Sequence, residues 1–419
     1  MKTRFKVMVA ALGLMSLSIQ ADDLLIRGAT LHTMGEKGVI ENADILIRDG
    51  VIKSIGRNVR ARPDGMTIIE AEGRPVTPGF FAGISGIGIT EVSAVDETVD
   101  NALESLDIAP MHPEFEVATA YNPHSSLVPV TRIEGYSFTL LSASVRDSLL
   151  GGQGRIVALD GGYDSFQGAP VLFVDIGGRA ASRTGGSRAG QWMLLRQLIR
   201  EAQYGLEAGE TGLLTPEGRS VLQDFMDGGR VIFAVNRASD ILQVLAFAEE
   251  MGVQAVIAGG AEAWMVAAEI AAAKVPVLLN PFENLPSSFD ALGARLDNAA
   301  LLQAAGIDIA MAGSGSHNAR KLRQMAGNAV ANGLPYEAAL ASLTAIPAKI
   351  FGVEDFQGRI VADRPANLVL WSGDPLEVTT VAEQVIINGH KVPMRSRQTD
   401  LRDRYLPEQP GMPRAYIKP

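Results

Sequence analysis

The stretch Val76–Val92, VTPGFFAGISGIGITEV, divides this chain into two kinds of sequence. Before it, short apolar runs alternate with turns. After it, apolar runs alternate with helical patterns as far as about Gly352. Strand-rich sequence followed by alternating strand and helix predicts a small β unit joined to a parallel sheet.

Toward the N-terminus, Leu25-Ile26-Arg27, Ala43–Ile47, Val51–Ile55 and Thr67–Ala71 read as strands, and Asp49-Gly50 as the turn of a hairpin. Toward the C-terminus, strands are predicted at Arg230–Val235, Val253–Ala258, Val275–Leu279 and Ile307–Ala312. Helices are predicted at Gln191–Ala208, Ser239–Met251, Ala261–Ala273, Leu292–Ala305, His317–Asn332 and Tyr336–Phe351. The repetition points to an α/β fold, a (β/α)8 TIM-like barrel over residues 78–356. Strand character returns at Gly358-Arg359-Ile360, Ala366–Trp371 and Val385–Val392. Segments 23–77 and 357–395 are therefore expected to build one composite β-sandwich, with 396–419 as a surface tail. Glu91–Glu134, with Pro110, Pro113, Pro123 and Pro129, reads as an insertion over the barrel mouth. Gly151-Gly152-Gln153-Gly154 reads as a glycine turn; it has neither dinucleotide-fingerprint spacing nor a P-loop lysine, so it receives no phosphate role.

Composition narrows the function. The 419 residues are 47% hydrophobic, enough for a large barrel and a smaller unit. The absence of cysteine excludes disulfides, thiolate catalysis and cysteine-ligated zinc. A net charge of −10 argues against nucleic-acid binding. Met1–Ala21 has the form of a signal peptide: Lys2, Arg4 and Lys6, then the apolar run Val7–Ser18, then Ala21 before Asp22-Asp23. The run is shorter than the ~20 apolar residues a membrane span needs. The expectation is an exported protein, periplasmic or extracellular, with no membrane span after cleavage and a mature N-terminus at Asp22.

The opening stretch resembles the first barrel strand of the amidohydrolase superfamily, metal-dependent hydrolases of C–N bonds. That pattern runs Thr-Pro-Gly, two hydrophobic residues, Asp-x-His-x-His. Here Thr77-Pro78-Gly79-Phe80-Phe81 matches the approach, while Ala82 stands at the Asp position and Ile84 and Gly86 at the His positions. Ile47-Arg48-Asp49-Gly50-Val51-Ile52-Lys53-Ser54-Ile55-Gly56 also resembles the family's N-terminal sandwich, and the closing strands its C-terminal half, so the resemblance covers Leu24 to about Val392. It implies a site with two His on the first strand, further His on later strands, often a carboxylated Lys, and an Asp after the last strand. Each position differs. No Lys occurs between Lys53 and Lys274. Where the imidazolonepropionase-like branch has His-x-His-Arg-Ala-x-Asp-Ile, this chain has Ala234-Val235-Asn236-Arg237-Ala238-Ser239-Asp240-Ile241. Where it has Glu-His-Gly-Thr-Glu-Ala, this chain has Ala258-Gly259-Gly260-Ala261-Glu262-Ala263. No Asp follows Ile309-Ala310-Met311, and Asp308 lies at the other end of that strand.

The expectation is therefore a barrel without metal or other cofactor. Of the five histidines, His32 and His390 fall in the sandwich; His112, His124 and His317 remain for an unconventional site, with surface or hydrogen-bonded roles as the plainer reading. Asn236, Arg237, Glu262, Ser314 and His317 are the ligand-binding candidates, and no catalytic residue is assigned. Arg237 suits a carboxylate, and its competing role is an ion pair with Asp240 or Glu262. Asn318-Ala319-Arg320 resembles the family's segment after the last strand; Ser316 reads as a helix N-cap, and Ser85 and Ser314 lack a visible base. Two function classes follow. One is a degenerate, non-metal-catalytic barrel, a pseudoenzyme that binds a small anionic molecule or supports a partner, as a homo-oligomer or with an active relative. The alternative is an active hydrolase of non-peptide amides, dipeptides or cyclic amides with a non-standard or metal-free site. The second needs a substitute for metal-bound water, whose pKa zinc lowers from that of bulk water to about 7.

Overall fold

A computed structural model of the chain describes residues 23–60, 65–104, 109–145, 148–206, 209–282, 286–313 and 315–406. The signal-like segment Met1–Ala21 and the candidate Ser314 lie outside these residues.

Both ends of the chain enter one eight-stranded sheet. Its N-terminal members are Leu24–His32, Val39–Arg48, Val51–Gly56, Thr67–Glu70 and Pro75–Pro78; its C-terminal members are Leu368–Trp371, Ala382–Ile387 and His390–Lys391. Pro75–Pro78 is the join, parallel to Leu24–His32 on one edge and antiparallel to Leu368–Trp371 on the other. Alternate residues of these strands face one core of Ile26, Leu31, Ile45, Val76, Leu368, Leu370 and Ile386. Gly358-Arg359-Ile360, expected as strand, forms none. Arg397–Tyr405 is a surface helix with no buried residue, started by Ser396, and residues 407–419 lie outside the described set.

The second eight-stranded sheet curls into a barrel. Its neighbours in order are Phe80–Ser85, Tyr136–Leu141, Leu150–Ala158, Phe166–Asp175, Arg230–Val235, Gln254–Gly259, Val277–Leu279 and Ile309–Met311. The fold class is thus the expected one, with a departure from strict (β/α)8 order. Leu150–Ala158 runs antiparallel to both neighbours, as part of a hairpin with Phe166–Asp175. The expected glycine turn at 151–154 lies inside this strand. A Cβ on Gly154 would meet the Leu141 carbonyl oxygen, and one on Gly152 the Phe115 carbonyl oxygen, so small residues are needed where backbones crowd. Glu91–Glu134 also differs from expectation, because part of it packs on the barrel wall. Gln153 N donates to Phe115 O at 2.7 Å, and Val117 and Tyr121 share a core with Leu141 and Val157.

Several predicted helices are shorter or broken. Tyr336–Phe351 splits into Tyr336–Leu343 and Ala345–Phe351 at Thr344, whose φ of −133° and ψ of −89° are not helical. Only Asn298–Ala304 of the expected 292–305 helix forms. Helix Pro216–Met226, not foreseen, starts at Thr215, whose hydroxyl accepts from Gly218 N at 2.9 Å. The barrel interior is apolar: Phe81, Phe138 and Phe351 fill one end, and Ile232, Val256, Leu278 and Ala310 line the middle.

The T-P-G motif is explained by packing. Thr77 Oγ1 accepts from the Trp371 indole N–H at 2.9 Å, Pro78 pairs with Leu368, and a Cβ at Gly79 would collide with the side chain of Ser137 in the next strand. Because Leu368–Trp371 closes the edge of Pro75–Pro78, deleting residues 358–419 should expose that edge and the core beneath it. The expected outcome is aggregated protein on expression; a soluble truncation with a single cooperative unfolding transition would contradict it.

Candidate functional site

In barrels of this kind chemistry assembles at the C-terminal ends of the strands, so the mouth is built from the residues after Ser85, Asp175, Val235, Gly259, Leu279 and Met311. Its floor is apolar, formed by the half-buried Ile84, Phe173, Ala258 and Ala312 at the top of the barrel interior.

Two positions in the mouth are filled by neighbours. Gly259 has φ of +101°, and a Cβ there would lie 2.5 Å from Asn236 Oδ1. Asn236 Oδ1 also accepts from Ala261 N at 3.3 Å. Gly86 N donates to Ser316 Oγ at 2.7 Å, which links the first strand to the turn after the last one. A Cβ on Gly86 would come 2.7 Å from Thr90 Oγ1 and 3.1 Å from Ser316 Oγ. Ser316 is therefore not an N-cap as expected; it begins the 3-10 turn Ser316–Lys321 and its hydroxyl helps close the barrel.

Asn236, Arg237 and Glu262 come together. Glu262 is buried, and its two oxygens accept from Ala238 N and Gly293 N, both at 3.0 Å. Arg237 is exposed and precedes helix Ala238–Met251. The competing ion pair is absent among the described residues: Asp240 is held by Arg188 Nε at 2.9 Å, and Glu262 is occupied by backbone donors. His317 is exposed on the Ser316–Lys321 turn.

Arg188 and Asp290 also belong to this region, and neither was singled out in the sequence. Arg188 bonds Asp240 and Asp290 together, and Gly178 N donates to Asp290 Oδ2 at 2.6 Å. The hydrogen bond to Asp240 raises the Arg188 pKa above its ordinary value against opposing desolvation, so the cluster keeps its cation at any working pH. The sequence around Arg188, residues 177–191, is rich in Gly, Arg and Ser, a composition that names no partner.

The remaining histidines stand apart in role. His112 is buried with Nδ1 3.1 Å from Glu114 Oε1, which also accepts from Thr215 Oγ1 at 2.7 Å. His124 packs edge-on against Tyr163. Among the described residues no group of three or more His, Asp or Glu could hold a metal ion. Ser85 Oγ shares a hydrogen bond with Thr139 Oγ1 at 2.8 Å, a hydroxyl rather than a base. A cleft of about 960 Å³ lies at the opposite end of the strands, between helices Ala238–Met251 and Ala267–Ala273, with Arg230, Glu249, Glu269 and Lys274 on its walls. Its mixed charges converge on no common point, so the mouth remains the better candidate.

Residues 223–392 match the amidohydrolase family model. With 24% identity and a TM-score of 0.77, the fold is also similar to an amidohydrolase from Thermotoga maritima MSB8, over 89% of this chain and 100% of that one. Over residues 223–392 the chain thus resembles the amidohydrolase family, and its fold is that of the Thermotoga amidohydrolase. Short segments of the chain are similar to two curated proteins. One is the amidohydrolase tasK of Hapsidospora irregularis, 47% identical over 57 residues, 14% of this chain and 6% of that protein. The other is a dihydroorotase of Caldicellulosiruptor saccharolyticus, 43% identical over 58 residues, 14% of this chain and 13% of that protein. This chain thus spans well under two thirds of both relatives.

The crowding at Gly259 gives a direct test. Gly259→Ala should destabilise the protein by about 1–3 kcal/mol, the cost of a side chain at positive φ. Asn236→Gly in the same chain should restore the steric part. Urea unfolding checks both; an unchanged midpoint for Gly259→Ala would show that the strand end relaxes freely.

Proposed function

We propose that this chain does not perform metal-dependent hydrolysis, and that its mouth receives a small anionic molecule at Arg237. The observation that carries the reading is that space at two of the aligned histidine positions is already taken, by Asn236 beside Gly259 and by Thr90 and Ser316 beside Gly86. Ile84 and Ala234 stand at two others, and neither has a side-chain donor atom. Asn236, at the fifth, offers a neutral amide oxygen, a poor substitute for imidazole toward zinc. These residues do not fit a binuclear metal centre.

Support for the anion comes from Arg237, an exposed guanidinium with no ion pair among the described residues, beside two carboxylates that are otherwise engaged. The apolar floor of Ile84, Phe173, Ala258 and Ala312 favours a ligand carrying an apolar group next to its negative charge. The reading includes export, from the Met1–Ala21 pattern, and leaves a role beside an active relative to co-purification. Among the described residues the Ser85 hydroxyl meets Thr139 rather than a base, which disfavours the metal-free hydrolase.

After dialysis without chelator, the purified protein should carry well below one metal equivalent per chain. It should leave N-acyl amino acids, dipeptides and cyclic imides intact, with or without added zinc, manganese or cobalt. One tightly held ion per chain with turnover that chelation removes would overturn the reading. For any of these compounds that binds, Arg237→Ala should weaken affinity by about tenfold or more, the loss of a charged hydrogen bond. Unchanged affinity would remove Arg237 from the site.

A further inference from the structure

We propose that residues 286–297 form a strap latched over the barrel mouth by Asp290, and that breaking the Asp290–Arg188 pair releases it. The strap follows strand Val277–Leu279 yet is fastened far from it. Gly293 N donates to Glu262, after the neighbouring strand Gln254–Gly259. Asp290 bonds Gly178 N and Arg188, after strand Phe166–Asp175. In the sheet those strands are ordered 277–279, 254–259, 230–235, 166–175, so the strap bridges the ends of four neighbours. At about 4.8 Å between strands, that is a span of roughly 14 Å.

What holds it is polar and local. Of residues 286–297 only Ala291 is buried. Phe289 is 86% exposed, Leu292 59% and Leu296 40%, so apolar burial contributes little to docking. A long segment without regular structure and with few buried contacts belongs to the low-stability parts of a fold, from which lids are drawn. The fastenings include the Asp290 carboxylate, Gly293 N on Glu262, the Trp264 indole N–H donating to Gly293 O at 2.8 Å, and the Arg295 guanidinium 4.6 Å from the centre of the Trp264 ring. Arg188 keeps its Asp240 partner at 2.9 Å when Asp290 leaves, so release strands no cation. Glu262 likewise keeps Ala238 N. The latched strap narrows access to Arg237 and the apolar floor, and the released strap admits a molecule to them.

The strap carries its own reporter. Trp264 is half-buried against it, whereas Trp192 and Trp371 are buried elsewhere. In the full chain, Asp290→Asn should speed hydrogen exchange in 286–297 by about tenfold or more while strands Arg230–Val235 and Gln254–Gly259 keep their protection. Acrylamide quenching of tryptophan fluorescence should steepen, and Trp264→Phe should remove the added quenching. Raising salt to about 0.5 M should act on the unmodified protein in the same direction, because a partly exposed pair is screened. Should Asp290→Asn fail to fold, the salt series decides. Unchanged exchange in 286–297 would overturn the latch, and so would a loss of protection spread evenly through the barrel. Neither readout depends on the identity of a ligand or on the proposed function.

Discussion

The indole of Trp371 is where both ends of the chain meet the barrel. It is fully buried, donates to Thr77 Oγ1 and stacks on Phe80 with ring centroids 5.0 Å apart. Thr77 and Phe80 lie where the sandwich passes into the first barrel strand, and Tyr136 of the second strand meets Phe80 edge-on. The guanidinium of Arg323, from the helix after the last barrel strand, lies 5.7 Å from the same indole and binds the carbonyls of Pro375, Glu377 and Thr380. One aromatic side chain thus ties the sandwich to both the opening and the closing of the barrel. Truncating a buried aromatic of this size typically costs about 3–5 kcal/mol, so the unit is held by a few large contacts as well as by its sheets.

That dependence accounts for the Thr77-Pro78-Gly79 motif. Thr77, Pro78 and Gly79 serve packing: a hydrogen bond to Trp371, a strand pairing and a close approach to Ser137. Ile84 and Gly86, a few residues on, face the mouth and its closure, where the fold asks only that space be filled and backbone donors be satisfied. Ser316 and Asn236 meet that requirement with neutral groups. The Thr77-Pro78-Gly79 frame and the residues of the mouth therefore answer to different forces.

The mouth is a place of hydrogen-bonded loops over an apolar floor. Glu262 spends both oxygens on backbone N–H groups, and Arg188 is shared by Asp240 and Asp290. Carboxylates used this way position backbone and are poorly placed to accept protons from a substrate. Arg237 remains as the exposed cation beside them.

The sequence by itself determined the architecture. Period-two runs near the two ends and alternating strand and helix between them report burial patterns set by local residue order, and the superfamily resemblance follows from the same residues. Strand Arg230–Val235 lies where the pattern placed it, and helix Ala238–Met251 begins one residue before its expected start. Tertiary structure alone decided the features that depend on contacts distant in sequence. The direction of Leu150–Ala158 follows from its hairpin with Phe166–Asp175, and its glycines, which looked like a turn, answer to carbonyls of Leu141 and Phe115. The break at Thr344 is invisible in a helical pattern that continues through it. At the mouth, Asn236, Arg237 and Glu262 were legible because neighbouring strand ends bring them together in register. Arg188 and Asp290 were not, because 102 residues separate them and only the curvature of the barrel makes them partners.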